Sequence, residues 1–260
     1  MADASKELKP LDLTALEAAA EEGTCLEGYD LSGVCWDGLD LPDLKLKDCA
    51  ASGLEFRNCD LEGLAAETCD FVGASFSSCA LKDAAFDKCR FTNRETHEGA
   101  TFRYVKLDNS RFSDCDVSFS KFDRCELYDL KLKDSNFRAT EFASSSFARR
   151  LSKTKSLVRF EATGTNLASC NFFGLDLETI KLEKCSVRLA TFEECHLSSA
   201  LLLDCTFNDA EWRGADLSGA NLGGSDVSGL DLRELKAYEG LMSSAAQGIV
   251  LLGEMGIGAF

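Results

Sequence analysis

Leu54-Glu55-Phe56, Cys59-Asp60-Leu61, Leu64-Ala65-Ala66, Cys69-Asp70-Phe71, Ala74-Ser75-Phe76, Cys79-Ala80-Leu81, Ala84-Ala85-Phe86 and Cys89-Arg90-Phe91 follow one another at intervals of five residues. Each triplet is separated from the next by two mostly polar positions. Five steps along an α-helix turn the side chain by roughly 500°, a net rotation of about 140°, so the bulky third residues would spiral around the cylinder without forming a stripe. Five steps along a strand change the face every time. Neither element buries this set on one side, so each repeat must contain its own change of direction. Within a triplet the outer two residues share a face and the middle one points away. The object that satisfies both facts is a coil that turns after every repeat, with centres and small residues inside and middle residues outside.

The rhythm extends in both directions. Upstream it passes through Leu26, Leu31, Trp36, Leu41, Leu46 and Ala51. It breaks after Phe91, because the next centre, Phe102, lies eleven residues on; about six residues of 92–99 must bulge outward, since a buried loop would leave backbone polar groups unpaired. It resumes through Leu107, Phe112, Val117, Phe122, Leu127, Leu132, Phe137, Phe142 and Phe147, then weakens. Between Phe147 and Leu167 the centres would be Ser152, Leu157 and Ala162, and the spacing of twenty keeps the register, so a degenerate coil and a longer loop both remain open. Arg149, Arg150, Lys153, Lys155 and Arg159 favour a loop over about 148–163, because five cations cannot sit inside. A third block runs from Leu167 to Leu232.

Residues 1–23 read as a helical cap over the first open coil, with Thr14 to Glu17 as a capping box, Leu13 and Ala18 as a staple and Gly23 as the stop. The repeats occupy 24–233. From 234 to 260 the spacing becomes helical through Tyr238, Leu241, Met242, Ala245, Ile249 and Leu252, followed by an apolar glycine-rich tail. That excess of apolar surface points to a homodimer through the C-terminal helix.

The chain has 260 residues and a formal net charge of −16, which repels nucleic acid and anionic membrane, makes free DNA a poor partner, and favours basic ones. No apolar run approaches the ~18 residues of a membrane span, and the first residues lack a secretory signal, so a cytoplasmic protein is expected. Eleven of the thirteen cysteines fall on the small inward position of a triplet, and no C-x-x-C pair occurs; they read as reduced core residues, with no metal site and no cofactor. His97 and His196 are the only histidines. His196 follows Cys195, but triplet neighbours point to opposite sides, and no nucleophile-and-base constellation exists, so no enzyme is expected.

Ala215-Asp216-Leu217-Ser218-Gly219-Ala220-Asn221-Leu222 is the cleanest copy of the repeat, and the sequence resembles the pentapeptide-repeat proteins, whose motif is A(D/N)LXX. That resemblance implies an all-β solenoid, a right-handed quadrilateral β-helix with four repeats per coil, here with a short N-terminal and a C-terminal helix. Arg94-Glu95 with Gly99, Thr165-Asn166-Leu167 with Leu182-Glu183-Lys184-Cys185, and Gly224-Ser225-Asp226-Val227-Ser228-Gly229 with the terminal helix resemble the Qnr quinolone-resistance proteins. This narrower resemblance implies a DNA mimic that binds DNA gyrase or topoisomerase IV and protects it from quinolones or related poisons. A rod of nine to ten coils would span roughly 45 Å and carry about one net charge per 3 Å, against one per ~1.7 Å on duplex DNA, so the imitation is partial. Shape and loops must supply specificity. The candidate partner contacts are therefore Arg94, Glu95, His97 and Glu98 in the first break, Arg149, Arg150, Lys153, Lys155 and Arg159 in the second, and outward carboxylates such as Asp60, Asp70 and Asp116. A scaffold or regulator with another partner, and a toxin-immunity factor on the same target, remain open at this level.

Overall fold

The computed structural model describes residues 8–152 and 155–258. The chain winds into a β-solenoid of about ten coils. Parallel bridges such as Asp40 to Asp60 and Asp60 to Ala80 link positions twenty residues apart, which is four repeats per coil. Four faces result. The first, with centres including Leu46, Phe86, Leu132 and Ala162, is a nine-stranded parallel sheet of short strands from Cys25–Glu27 to Leu201–Leu203. The second carries Phe71, Phe91, Val117 and Phe137; the third carries Phe56, Phe76, Phe102 and Phe122, four of whose strands pair as a sheet; the fourth carries Leu61, Leu81, Leu107, Leu127 and Phe147.

Local chemistry explains the corners. The middle Asp or Asn of a triplet accepts the backbone N–H two residues on: Asp60 from Glu62 at 3.1 Å, Asp70 from Val72 at 3.1 Å, Asp216 from Ser218 at 2.9 Å, Asn221 from Gly223 at 2.9 Å. This Asx turn is why the repeat prefers those two residues there. The second residue after the centre commonly adopts the left-handed region, as at Asp48, Asn58, Asp83 and Asn109, a conformation that Asp and Asn tolerate better than most side chains.

Inside, identical positions stack from coil to coil. On the third face one aromatic column runs Trp36, Phe56, Phe76, Phe102, Phe122, Phe142, Phe172, Phe192 and Trp212, with successive centroids 4.5–5.2 Å apart. Each such ring contributes about 1.5–3 kcal/mol by burial alone. The eleven inward cysteines are buried and free, while Cys25 and Cys35 are exposed. Their thiols donate to carbonyls: Cys59 Sγ lies 3.3 Å from the oxygens of both Trp36 and Arg57. Serine can replace cysteine in these columns because it meets the same carbonyl and also accepts an amide; Ser225 Oγ donates to Leu202 O at 2.7 Å and accepts from Cys205 N at 2.9 Å. Burial pushes the thiols of Cys125, Cys170 and Cys195 up to about 12.

The ends depart from expectation. Helix α1 spans Leu13–Glu22, but its N-cap is Asp12, whose carboxylate accepts from Ala15 N at 2.8 Å, rather than Thr14. Leu11 and Leu16, both buried, occupy the staple positions, while Leu13 is exposed. Ahead of it, Lys9–Pro10 pairs in parallel with Tyr29–Asp30. At the other end helix α2 is only Ala245–Glu254. The coil continues past 233, because Ala237 and Met242 still bridge to Asp216 and Asn221 with one extra residue in the turn. Tyr238, Leu241 and Met242 therefore belong to this partial coil, not to a helix. No helix among the described residues is long and apolar enough to cross a membrane.

Candidate functional site

The bridge offset rises from twenty to twenty-six between Ala80 and Lys106, which measures the first insertion as six residues. It lies at the corner between the second and third faces and folds as a tight hairpin. Asn93 N donates to Glu98 O at 2.8 Å, and Asn93 Oδ1 accepts from Glu95 N at 2.9 Å and Thr96 N at 3.3 Å. Two contacts pin it to the rod. Arg94 Nε donates to Asp116 Oδ2 at 2.6 Å, and the His97 ring stacks on Phe119 with centroids 4.6 Å apart. The guanidinium of Arg138 lies 5.6 Å from the same Phe119 ring. Glu95 and Glu98 are exposed. Beside the hairpin opens a cleft of about 620 Å³ lined by Lys88, Arg90, Arg94, Asp114 and Asp116 among others.

Asp116 is the anchor of this arrangement. It is 9% exposed and also accepts from Ser118 Oγ at 2.7 Å and Asn136 Nδ2 at 2.9 Å. Asn166 Nδ2 then donates to Asn136 Oδ1 at 3.0 Å, so a polar chain runs from Arg94 across three coils of the second face. Asp70 pairs with Arg90. Of the three carboxylates singled out in the sequence, only Asp60 stands exposed without a cation paired to it among the described residues.

The second break is a loop, not a degenerate coil. Asn136 bridges to Asn166 and Glu141 to Asn171, an offset of thirty, so ten residues leave the coil. They form an antiparallel hairpin of Ala148–Arg150 against Ser156–Val158 at the corner between the fourth and first faces. The coil resumes at Phe160–Thr163, which pairs with Leu130–Lys133; the loop ends earlier than 163, and Ala162 is a true centre opposite Leu132. The two insertions thus stand on diagonally opposite corners of the rod. Arg149 lies 4.7 Å over the ring of Tyr128. Arg159 pairs with Asp129 at 3.1 Å and Glu161 at 3.6 Å. Arg150 and Lys155 are exposed, and Lys153 lies outside the described residues.

Face assignment also sorts the acids, which the sequence alone does not. The outward column of the fourth face runs Asp40, Asp60, Ala80, Lys106, Glu126 and Ser146, then Asp176, His196 and Asp216. Asp43, Glu62, Asp83 and Glu178 flank it. Lys82, Lys106 and Lys236 are the cations that this face sets against them among the described residues. The signal that finds this column is position modulo twenty, and it appears only after the six and ten inserted residues are subtracted. Hydrogen bonds from the backbone N–H and then the hydroxyl of Ser218 hold the Asp216 carboxyl below its ordinary range. Cys195 and His196 face opposite sides: the thiol is buried 2.8 Å from Phe172 O and the imidazole is outside.

At the C-terminal end, Gln247 Nε2 donates to the carbonyls of Leu222 and Ser225 at 2.6 and 2.8 Å, closing the last coil, with Leu251 buried beside it. The opposite side of α2 and the preceding turn expose Tyr238, Met242, Ala245, Ile249, Val250 and Leu252, while Leu241 packs partly against the core.

A family model described as pentapeptide repeats matches residues 55–93 and 195–233 in eight copies. The chain is 27% identical over 98 residues to the pentapeptide repeat protein QnrB4 of Escherichia coli; the match covers 38% of this chain and 43% of that relative. Among solved structures, full-length QnrB1, described as a plasmid-mediated fluoroquinolone resistance protein, superposes with a TM-score of 0.63 at 24% identity, covering 80% of this chain and 97% of QnrB1. A trypsin-treated form of QnrB1 gives 0.59 at 22% identity, covering 85% and 98%.

Proposed function

This chain is a pentapeptide-repeat protein with the coil architecture of QnrB1, and from that premise we propose that it is a non-catalytic, cytoplasmic DNA mimic. Its partner on this reading is DNA gyrase or topoisomerase IV, which it protects from quinolones or related poisons. The observation that carries the reading is the fourth face, whose carboxylates are offset by few cations, along a rod of about 48 Å, estimated from ten strand spacings. A single anionic face presents charge to a DNA-binding saddle as one side of a duplex does, and complementary potential steers the encounter.

Two further features support it. The hairpins at diagonal corners give a uniform rod two distinct handles, and loops on a rigid scaffold are where recognition concentrates. The exposed side of α2, with Ile249 and Leu252, together with Tyr238 and Met242 of the partial coil before it, supplies a self-complementary patch for a homodimer whose two rods extend away from a shared centre.

The test is gyrase supercoiling with a fluoroquinolone present, with and without the purified full-length protein. Restored supercoiling at protein concentrations near that of the enzyme is the expected result. Supercoiling that stays inhibited at every protein concentration, with no co-elution of protein and enzyme, would sink the reading.

A further inference from the structure

The net charge of −16 conceals a reversal along the rod. From Lys82 to Arg159 the sequence has seventeen lysines and arginines against twelve aspartates and glutamates, while the rest of the chain has eleven against thirty-two. The middle of the rod is a cationic girdle between two strongly anionic ends. The expectation that DNA is repelled treats the surface as uniform, and it is not.

Within the girdle the fold gathers six cations. On the first face Arg111 is the register partner of Lys131, and Ser113 of Lys133, which places three exposed cations on two neighbouring strands of a flat sheet. The basic hairpin rises from the corner beside that sheet and adds Arg149, Arg150 and Lys155, all exposed. Arg159 occupies two nearby carboxylates, Asp129 at 3.1 Å and Glu161 at 3.6 Å, leaving Asp114 and Asp134 as the exposed acids at the ends of the two sheet strands. Lys131 makes one long contact, 3.6 Å to Asp129. Among the described residues Arg111, Lys133, Arg149, Arg150 and Lys155 pair with no carboxylate. The Arg149 guanidinium over Tyr128 fixes the base of the hairpin against the rod.

We propose that this patch, Arg111, Lys131 and Lys133 on the sheet with Arg149, Arg150 and Lys155 on the hairpin, docks the phosphodiester backbone of duplex DNA. Charge density selects this partner over an acidic protein surface. Six cations spread over about 10–15 Å, a few strand spacings, match the eight or so phosphates that a duplex presents over that length. The acids that begin the anionic end on this face lie within one or two strand spacings, Glu161 opposite Lys131 and then Glu183, but both are already paired, to Arg159 at 3.6 Å and Lys181 at 2.7 Å, so the patch keeps its positive charge there. On the topoisomerase reading the duplex is the segment the enzyme holds; the binding itself does not depend on that reading.

The experiment is fluorescence anisotropy of a labelled 30-base-pair duplex with the full-length protein between 50 and 200 mM salt. Six phosphate contacts predict a log–log slope near −5 and about a 10³-fold loss of affinity across that range. Lys131→Glu with Lys133→Glu, and separately Arg149→Glu with Arg150→Glu, should each flatten the slope by about two; Lys184→Glu, on the same face beyond the girdle, should leave it unchanged. All are exposed sites, and unchanged thermal melting shows that the variants fold. No binding at 50 mM, or a slope indifferent to the patch variants, overturns the proposal. If those variants weaken capture of the enzyme in the absence of DNA while the duplex stays unbound, the patch meets protein carboxylates and the proposal is likewise overturned. Duplex binding without rescue of supercoiling would instead overturn the topoisomerase reading and leave this one standing.

Discussion

Phe142 and Phe172, thirty residues apart, stack with ring centroids 5.2 Å apart and planes 12° from parallel. Neighbouring rings in the column are twenty residues apart elsewhere, except across the first hairpin, where Phe76 meets Phe102 at 4.9 Å. The core is therefore continuous beneath both insertions, and neither hairpin carries a core aromatic.

Excision of the ten residues Arg149–Val158 should accordingly restore a twenty-residue coil in register, joining Ala148 to Arg159 and Phe160. The expected change in thermal midpoint is no more than a few degrees, read by calorimetry, since the loss is one buried Val158 side chain of about 1.5–3 kcal/mol against a shorter loop closure. A collapse of the cooperative transition would show that the hairpin holds the coils together.

Gly99 ends the first hairpin where the backbone passes Phe119. A Cβ there would lie 2.4 Å from the Phe119 carbonyl carbon and 2.5 Å from Ser120 N, both backbone atoms that cannot rotate away. Gly99→Ala should cost about 1–3 kcal/mol in urea unfolding by overpacking. Amides 93–98 should exchange faster than in the parent protein, because the same shift loosens the His97–Phe119 stack.

Acid stability follows from the turn carboxylates. The carboxyls of Asp30 and Asp216 are held below the ordinary range chiefly by the backbone N–H of Ser32 and Ser218, and Asp226 by the hydroxyl of Ser228 and the amide of Asn208. A depressed folded-state pKa means stability that is present above the unfolded value and lost as pH falls through the folded one. The unfolding midpoint in urea should therefore begin to fall below about pH 4, modestly because solvent reaches these carboxylates. Between pH 7 and 5 it should hold or rise slightly, as partial protonation relieves self-repulsion of a chain at −16. A midpoint independent of pH down to 2 would contradict this account.

Paired substitution Ile249→Asp and Leu252→Asp places charge on the outer side of α2 without touching Gln247 or Leu251, which close the coil. Light scattering should then give the monomer mass with an unchanged melting temperature. A dimer that survives both changes would move the interface elsewhere.

The coil was legible from the stretch Leu54–Phe91 because a period of five excludes both a helix stripe and a continuous strand face. The second insertion was not, for an arithmetic reason: Phe147 to Leu167 is twenty residues, a multiple of five, so the register survives whether the chain stays in the coil or leaves it. Only the partners of Asn136 and Glu141 decide. The same blindness hid the acidic face, since Asp60, Asp70 and Asp116 look alike as middle residues until the coils are counted. Asp70 and Asp116 then fall beside Arg90 and Arg94 and become internal anchors. At the C-terminus, Tyr238 and Met242 mimicked helical spacing by chance, because one extra residue shifts the last turn of the coil.

The Asx turns have an implication for how a partner experiences this surface. A lysine or glutamate on an ordinary surface swings through several rotamers and gives up that freedom when bound, at about 0.5–1.5 kcal/mol per side chain. Asp60 and Asp216 have already given it up to their own backbones, at 3.1 and 2.9 Å. Their charges are held as rigidly as the coil itself, so at these positions the entropy of recognition falls on the partner.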